Sequence, residues 1–180
     1  MHPIIPQIVG VFAVALFLLS YQMKTRRSII LCNTFSRVLY ILQYLLLGAF
    51  EGAVLDILGA LSSVVAGKKD AGFVKKHARL LFILMDALIL GVGLLLYKNP
   101  FSLLPIAGVL LHTSAFWIND EKIIRRVSLA GSPFWFVYNF HSHAYGSAAG
   151  DLLTMLSILI AMFRYRKNRQ VASNRIEETL

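Results

Sequence analysis

Arg37, Asp56, Asp86 and His112 each stand inside a long apolar run of the chain. Such groups are costly in a bilayer, so they face the bundle interior or a wet cavity and find partners there. Arg37 belongs to a stripe of Asn33, Arg37, Tyr40 and Tyr44, whose 4-3-4 spacing puts all four on one helix face. A shift of 98 residues brings up a second stripe of Gly131, Trp135, Tyr138 and Ser142. Two polar-aromatic stripes in register suit two half-sites facing each other across a small polar solute. Arg37, Tyr40, Trp135, Tyr138, Asn33 and His112 are the candidate binding residues, with Asp86 and Asp56 as candidates for ion pairing or proton coupling.

The elements that must position them are membrane helices. The chain has 180 residues, 57% hydrophobic and 15% charged, whereas a soluble domain carries about 45–50% apolar and about 25% charged residues. Apolar runs cover Ile4–Tyr21, Ile29–Phe50, Gly52–Ala66, Leu80–Tyr97, Phe101–Ile118, Val127–Tyr145 and Ser147–Tyr165. The second and third runs are nearly continuous, and as one helix they would reach about 57 Å at about 1.5 Å per residue. That is close to two hydrocarbon thicknesses of about 30 Å, so a hairpin turning at Gly48 and Gly52 is the better reading. The last two runs repeat the pattern at Gly146 and Gly150. The third run, Gly52–Ala66, is the shortest. The first has no basic n-region and no small-x-small site after it, unlike a cleavable signal peptide.

With seven crossings, nearly all of the 18 Lys and Arg residues fall on one face. Lys24, Arg26 and Arg27 follow the first crossing, five more span 68–79, Lys122, Arg125 and Arg126 follow the fifth, and Arg164, Arg166, Lys167, Arg169 and Arg175 follow the seventh; Lys98 falls on the other face and Arg37 inside a helix. The positive-inside rule then puts the N-terminus outside and the C-terminus in the cytoplasm. The net charge of +9 reads as topology signal and attraction to anionic lipid, so the expected partner is the bilayer and not nucleic acid. The same 98-residue shift aligns Gly10 with Gly108, Lys24 with Lys122, Tyr40 with Tyr138 and Gly52 with Gly150. The expected fold is an all-α membrane protein of seven transmembrane helices. Two parallel three-helix repeats, residues 1–66 and 99–166, are joined by a basic loop and an inverter helix (67–98), a 3+1+3 layout; residues 167–180 read as a disordered basic and polar tail.

Depth in that layout bears on the partner of Arg37. Arg37 lies about 12 Å and Asp86 about 9 Å from the cytoplasmic side, while Asp56 lies roughly 10 Å higher than Arg37. Depth therefore favours Arg37–Asp86, with Asp56 as the alternative. Asp56, Gly59 and Ser63 at helical spacing also suit close helix packing. His112 reads more simply as a packed, hydrogen-bonded histidine than as a proton relay. His141 and His143, two apart, do not share a helix face, and with one cysteine, Cys32, no metal site or disulfide framework is expected. No cofactor fingerprint and no hydrolase or P-loop motif is present, so enzyme activity is not expected.

The segments QYLLLGAFEGAVLDILGALSSVV and SPFWFVYNFHSHAYGSAAGDLLTMLSILI resemble the YgjV family of bacterial inner-membrane proteins. That resemblance implies a multi-pass location in the bacterial inner membrane. More distantly, the 3+1+3 layout resembles the SWEET, PQ-loop and PnuC transporters, whose substrate sites lie near the midplane between repeats. The expectation is a small-solute transporter or channel working by rocking of the two repeats. The alternative is a non-transporting scaffold, assembly factor or cargo receptor on the same fold.

Overall fold

The structure, a computed structural model, describes residues 4–142 and 144–177, with side chains as far as residue 164. His143 lies outside the described residues. The described chain is helical, without strands. Its helices are α1 (Ile4–Gln22), α2 (Arg26–Leu47), α3 (Phe50–Gly67), the short α4 (Gly72–Lys76), α5 (Ala78–Leu95), α6 (Leu103–Phe116), α7 (Glu121–His141) and α8 (Tyr145–Glu177). A 3₁₀ turn, Pro100–Ser102, leads into α6. Five of these segments are long and apolar enough to cross a membrane: α1, α2, α3, α5 and the Tyr145–Arg164 part of α8.

Local chemistry sets the boundaries. Thr25 caps α2 by accepting the Ser28 N–H (3.3 Å), and Asp120 caps α7 by accepting the Lys122 N–H (2.7 Å). Arg26, Arg27, Lys122, Arg125 and Arg126, which read as loop residues, therefore lie within the first two turns of α2 and α7. α2 ends at Gly48, which adopts φ +74°, a left-handed conformation that glycine takes without a Cβ clash. The N–H groups of Gly48 and Ala49 return to the carbonyls of Leu45 and Tyr44 (3.3 and 2.9 Å). The hairpin turn is thus only Gly48–Ala49, and α3 starts at Phe50 instead of Gly52, reaching 18 residues. At the other end of the chain, the backbone read as disordered from residue 167 is helical as far as Glu177. No proline or glycine follows Gly150 to stop it, and Arg, Lys, Gln and Ala are good helix formers.

Helices α1, α2 and α3 pack in sequence, as do α6, α7 and α8; the two sets meet where α1 packs on α8 and α3 on α6. α5 lies at the margin against α3 and α6, with only Ile89 and Gly93 buried. The bundle is polar inside and apolar outside. Asn33, Arg37, Gln43, Asp56, His112, Asn139 and Asp151 are buried, while Phe12, Phe35, Leu61, Leu95 and Phe163 are each at least half exposed. Water rewards the opposite arrangement; a hydrocarbon surround rewards this one.

Candidate functional site

The hairpin geometry decides the partner of Arg37. Counting from the helix ends, Arg37 lies about 15 Å below the end of α2 and Asp56 about 9 Å below the start of α3 at about 1.5 Å per residue. The long arginine side chain spans that difference, and its guanidinium pairs with the Asp56 carboxylate. The expectation from depth, Arg37–Asp86, is overturned for two reasons. The short turn brings Asp56 lower than the apolar run implied, and α5 packs on α3 and α6, away from α2. Asp86 instead accepts a hydrogen bond from Ser114 Oγ (2.9 Å) and is half-buried.

The pair sits over Gly59. A Cβ there would fall 2.6 Å from Arg37 Nη1 and 2.8 Å from Val109 Cγ2, so the glycine makes room for the guanidinium between α3 and α6. Asn33, one turn along α2, accepts from Arg37 Nε (3.3 Å). Arg37 Nη2 and the Tyr40 hydroxyl are buried without a hydrogen-bond partner.

These groups close on a cavity of about 20 Å³. Phe17 comes from α1, Arg37, Tyr40 and Tyr44 from α2, Asp56 from α3, His112 from α6, Trp135 and Asn139 from α7, and Asp151 from α8. Tyr44 stacks on Trp135 (centroids 6.2 Å apart, 15° between planes). The Tyr44 hydroxyl donates to Asn139 Oδ1 (2.8 Å), and Asn139 Nδ2 donates to Asp151 Oδ2 (2.8 Å). His112 Nε2 faces the Ser128 carbonyl (2.9 Å), the contact of a packed histidine.

Of the sequence candidates, then, Arg37, Tyr40, Trp135, His112 and Asp56 share one cavity, and Asn33 braces Arg37. Tyr138 stands one layer out, where its hydroxyl accepts from the Gly52 N–H (3.0 Å) and links α7 to α3. Asp86 is elsewhere. Asp151 and Asn139 escaped the sequence reading, although a signal existed: Asp151 lies three residues before Thr154, the position 98 residues after Asp56.

Beyond Tyr138 lies a second, open cavity of about 280 Å³. Its polar lining includes Glu51, Lys98, Asn99, Ser102, His141 and Ser142. His141 stacks on Phe101 there (4.0 Å, 9°). At the opposite, basic end the arginines are tied to backbone. The Arg26 guanidinium donates to the carbonyls of Ala66, Phe116 and Ile118 at the ends of α3 and α6. Arg125 donates to those of Tyr21 and Met23 at the end of α1 (3.2 and 2.7 Å). These satisfy C-terminal carbonyls that a helix leaves open and meet the negative end of each dipole. Lys69 Nζ donates to the Trp117 carbonyl. Burial and the nearby Arg26 charge lower its pKa, with Asp70 acting in the other direction.

Fold and site together define a multi-pass helical membrane protein with a charged, aromatic-lined core. Residues 4–169 match the family model of the bacterial inner membrane proteins typified by YgjV, and the chain belongs to that family. It is 24% identical over 139 residues to the inner membrane protein YgjV of Escherichia coli (strain K12), covering 76% of this chain and 72% of that relative. No solved structure matches the chain. The protein is a multi-pass component of the bacterial inner membrane.

Proposed function

We propose that this protein is a carrier for a small polar solute, a seven-helix membrane bundle of 3+1+3 layout with a non-enzymatic role. In this reading α1–α3 and α6–α8 are parallel repeats, α5 is the inverter, and the basic end faces the cytoplasm with the N-terminus outside. Three features support the layout. Each three-helix set packs in sequence, the contacts between sets pair α1 with α8 and α3 with α6, and Arg26 and Arg125 gather helix ends at the basic end.

The observation that carries the reading is the central cavity itself. It lies between the two sets, holds an arginine donor and a tyrosine hydroxyl without partners, and has room for about one water. It is separated by Tyr138 from a cavity large enough for a small molecule. That is the arrangement of a closed site beneath an outer vestibule. The Gly52–Tyr138 hydrogen bond joins the two sets at the outer end, so rocking them apart there begins by breaking it. Arg37, Tyr40 and Trp135 would then meet the solute.

The small volume of the central cavity favours a second reading, a scaffold whose core is simply filled. Labelling separates the two. In the double variant Cys32→Ala, His112→Cys, a membrane-impermeant maleimide should react with the introduced thiol from outside in intact cells and from inside in inverted vesicles. A thiol at position 112 that is protected from both faces in folded protein would defeat the carrier reading and leave the scaffold.

A further inference from the structure

We propose that Asp151 is a proton-binding site, its carboxyl taking up and releasing one proton through the central cavity. The charge count of the cavity motivates it. Two carboxyl groups, Asp56 and Asp151, face one guanidinium, Arg37, which Asp56 engages. Asp151 is 5% exposed, and among the described residues no lysine or arginine lies within ion-pair distance of it. Its hydrogen-bond donor is an amide, Asn139. A carboxylate buried with only a neutral donor is disfavoured, and one proton removes the charge.

The second observation is the unpartnered donors. Arg37 Nη2 and the Tyr40 hydroxyl, on residues 2% and 7% exposed, line the same cavity without a partner. They call for an acceptor of the size the cavity admits, about 20 Å³, which is one water. A bare metal cation of that size accepts no hydrogen bond and would be repelled by Arg37. A water accepts from Nη2 and delivers or receives the proton at Asp151, so that carboxylate and hydronium become carboxylic acid and water. The other charged or titratable groups around the cavity are Asp56 on α3, His112 on α6, and Tyr40 and Tyr44 on α2; α1 contributes Phe17 and, in the same buried cluster, the Tyr21 hydroxyl, and α7 Trp135 and Asn139. The inference concerns equilibrium binding and stands or falls separately from transport.

The test is infrared difference spectroscopy of the full chain in lipid nanodiscs, titrated with pH. A protonated-carboxyl stretch should appear and disappear over the range in which the protein stays folded, persist in Asp86→Asn, and be lost in Asp151→Asn. Added sodium, lithium or potassium at fixed pH should leave it unchanged. If Asp151→Asn does not fold, Asn139→Leu removes the amide donor and should move the midpoint of the same band. A band that never titrates, that ignores Asn139→Leu, that disappears in Asp86→Asn, or that a metal cation displaces at fixed pH would overturn the assignment.

Discussion

The halves of the bundle meet at the central cavity with unlike groups. From α2 and α3 come Arg37 and Asp56, which neutralise each other within one hairpin. From α7 and α8 come a stacked ring, an amide and a carboxyl: Trp135, Asn139 and Asp151. The position 98 residues after Arg37 is Trp135, and the one after Asp56 is Thr154. The first half closes its charge internally, whereas the second offers a carboxyl with no cation. A structural charge pair and an exchangeable charge are thus separated by half-bundle.

The strongest way to break that contrast is to remove one member of the closed pair. Arg37→Ala strands the Asp56 carboxylate in the core, where losing one partner of a buried pair costs about 3–5 kcal/mol. Thermal unfolding in detergent should show the loss, and the paired substitution Arg37→Leu with Asp56→Leu should restore much of it, a non-additivity that reports direct contact. Equal and additive losses from Arg37→Ala and Asp56→Ala would mean that the pair does not act as a unit.

Next in size is the packing that admits the pair. Gly59→Ala places a Cβ 2.6 Å from Arg37 Nη1, and Gly108→Ala places one 2.7 Å from the Trp135 indole. Overpacking of this kind costs about 1–3 kcal/mol. Both should lower the unfolding midpoint, but only Gly59→Ala should have its effect reduced in the Arg37→Leu, Asp56→Leu background, where the contact with Val109 Cγ2 remains. At the basic end, Arg125→Gln frees the Tyr21 and Met23 carbonyls, and a lost charge-assisted hydrogen bond is worth about 1.5–3 kcal/mol. An unchanged midpoint would reduce Arg125 to a topology signal.

What was legible in the sequence follows from what periodicity and depth can encode. The polar stripe Asn33–Arg37–Tyr40–Tyr44 is local to one helix, and residues three and four apart must share a face. The hairpin at Gly48 was legible because a continuous run was too long for one crossing. The partner of Arg37 was not, because depth alone ignores which helices are neighbours and was measured from a turn placed two residues late. The roles of Arg26 and Arg125 were hidden for a related reason. A basic residue next to an apolar run reads as loop, and nothing in the local sequence reveals that it reaches the carbonyl end of a distant helix. Asp151 was hidden because the repeat gave it no polar mate: the position 98 residues before it is Ala53.

The second half of the contrast is tested by a substitution that should do little. Asp151→Asn keeps an oxygen to accept from Asn139 and removes a buried group that has no cation to lose, so stability should stay within about 1 kcal/mol of the parent, unlike the loss at Arg37. A drop as large as that of Arg37→Ala would show that Asp151 is engaged by a cation after all.

The smallest effect belongs to Asp86. Its carboxylate accepts from Ser114 in a half-buried position on the marginal helix α5. Asp86→Asn retains an accepting oxygen and opens no cavity, so the change should lie within about ±0.5 kcal/mol, as for substitutions away from packed or paired sites. Combined with Arg37→Ala it should add without coupling, since no shared partner joins the two. A coupling of about 1 kcal/mol or more would restore the depth-based pairing. It would also place α5 against α2, contradicting its packing on α3 and α6, and would open the Arg37–Asp56 pair on which the contrast between the two halves rests.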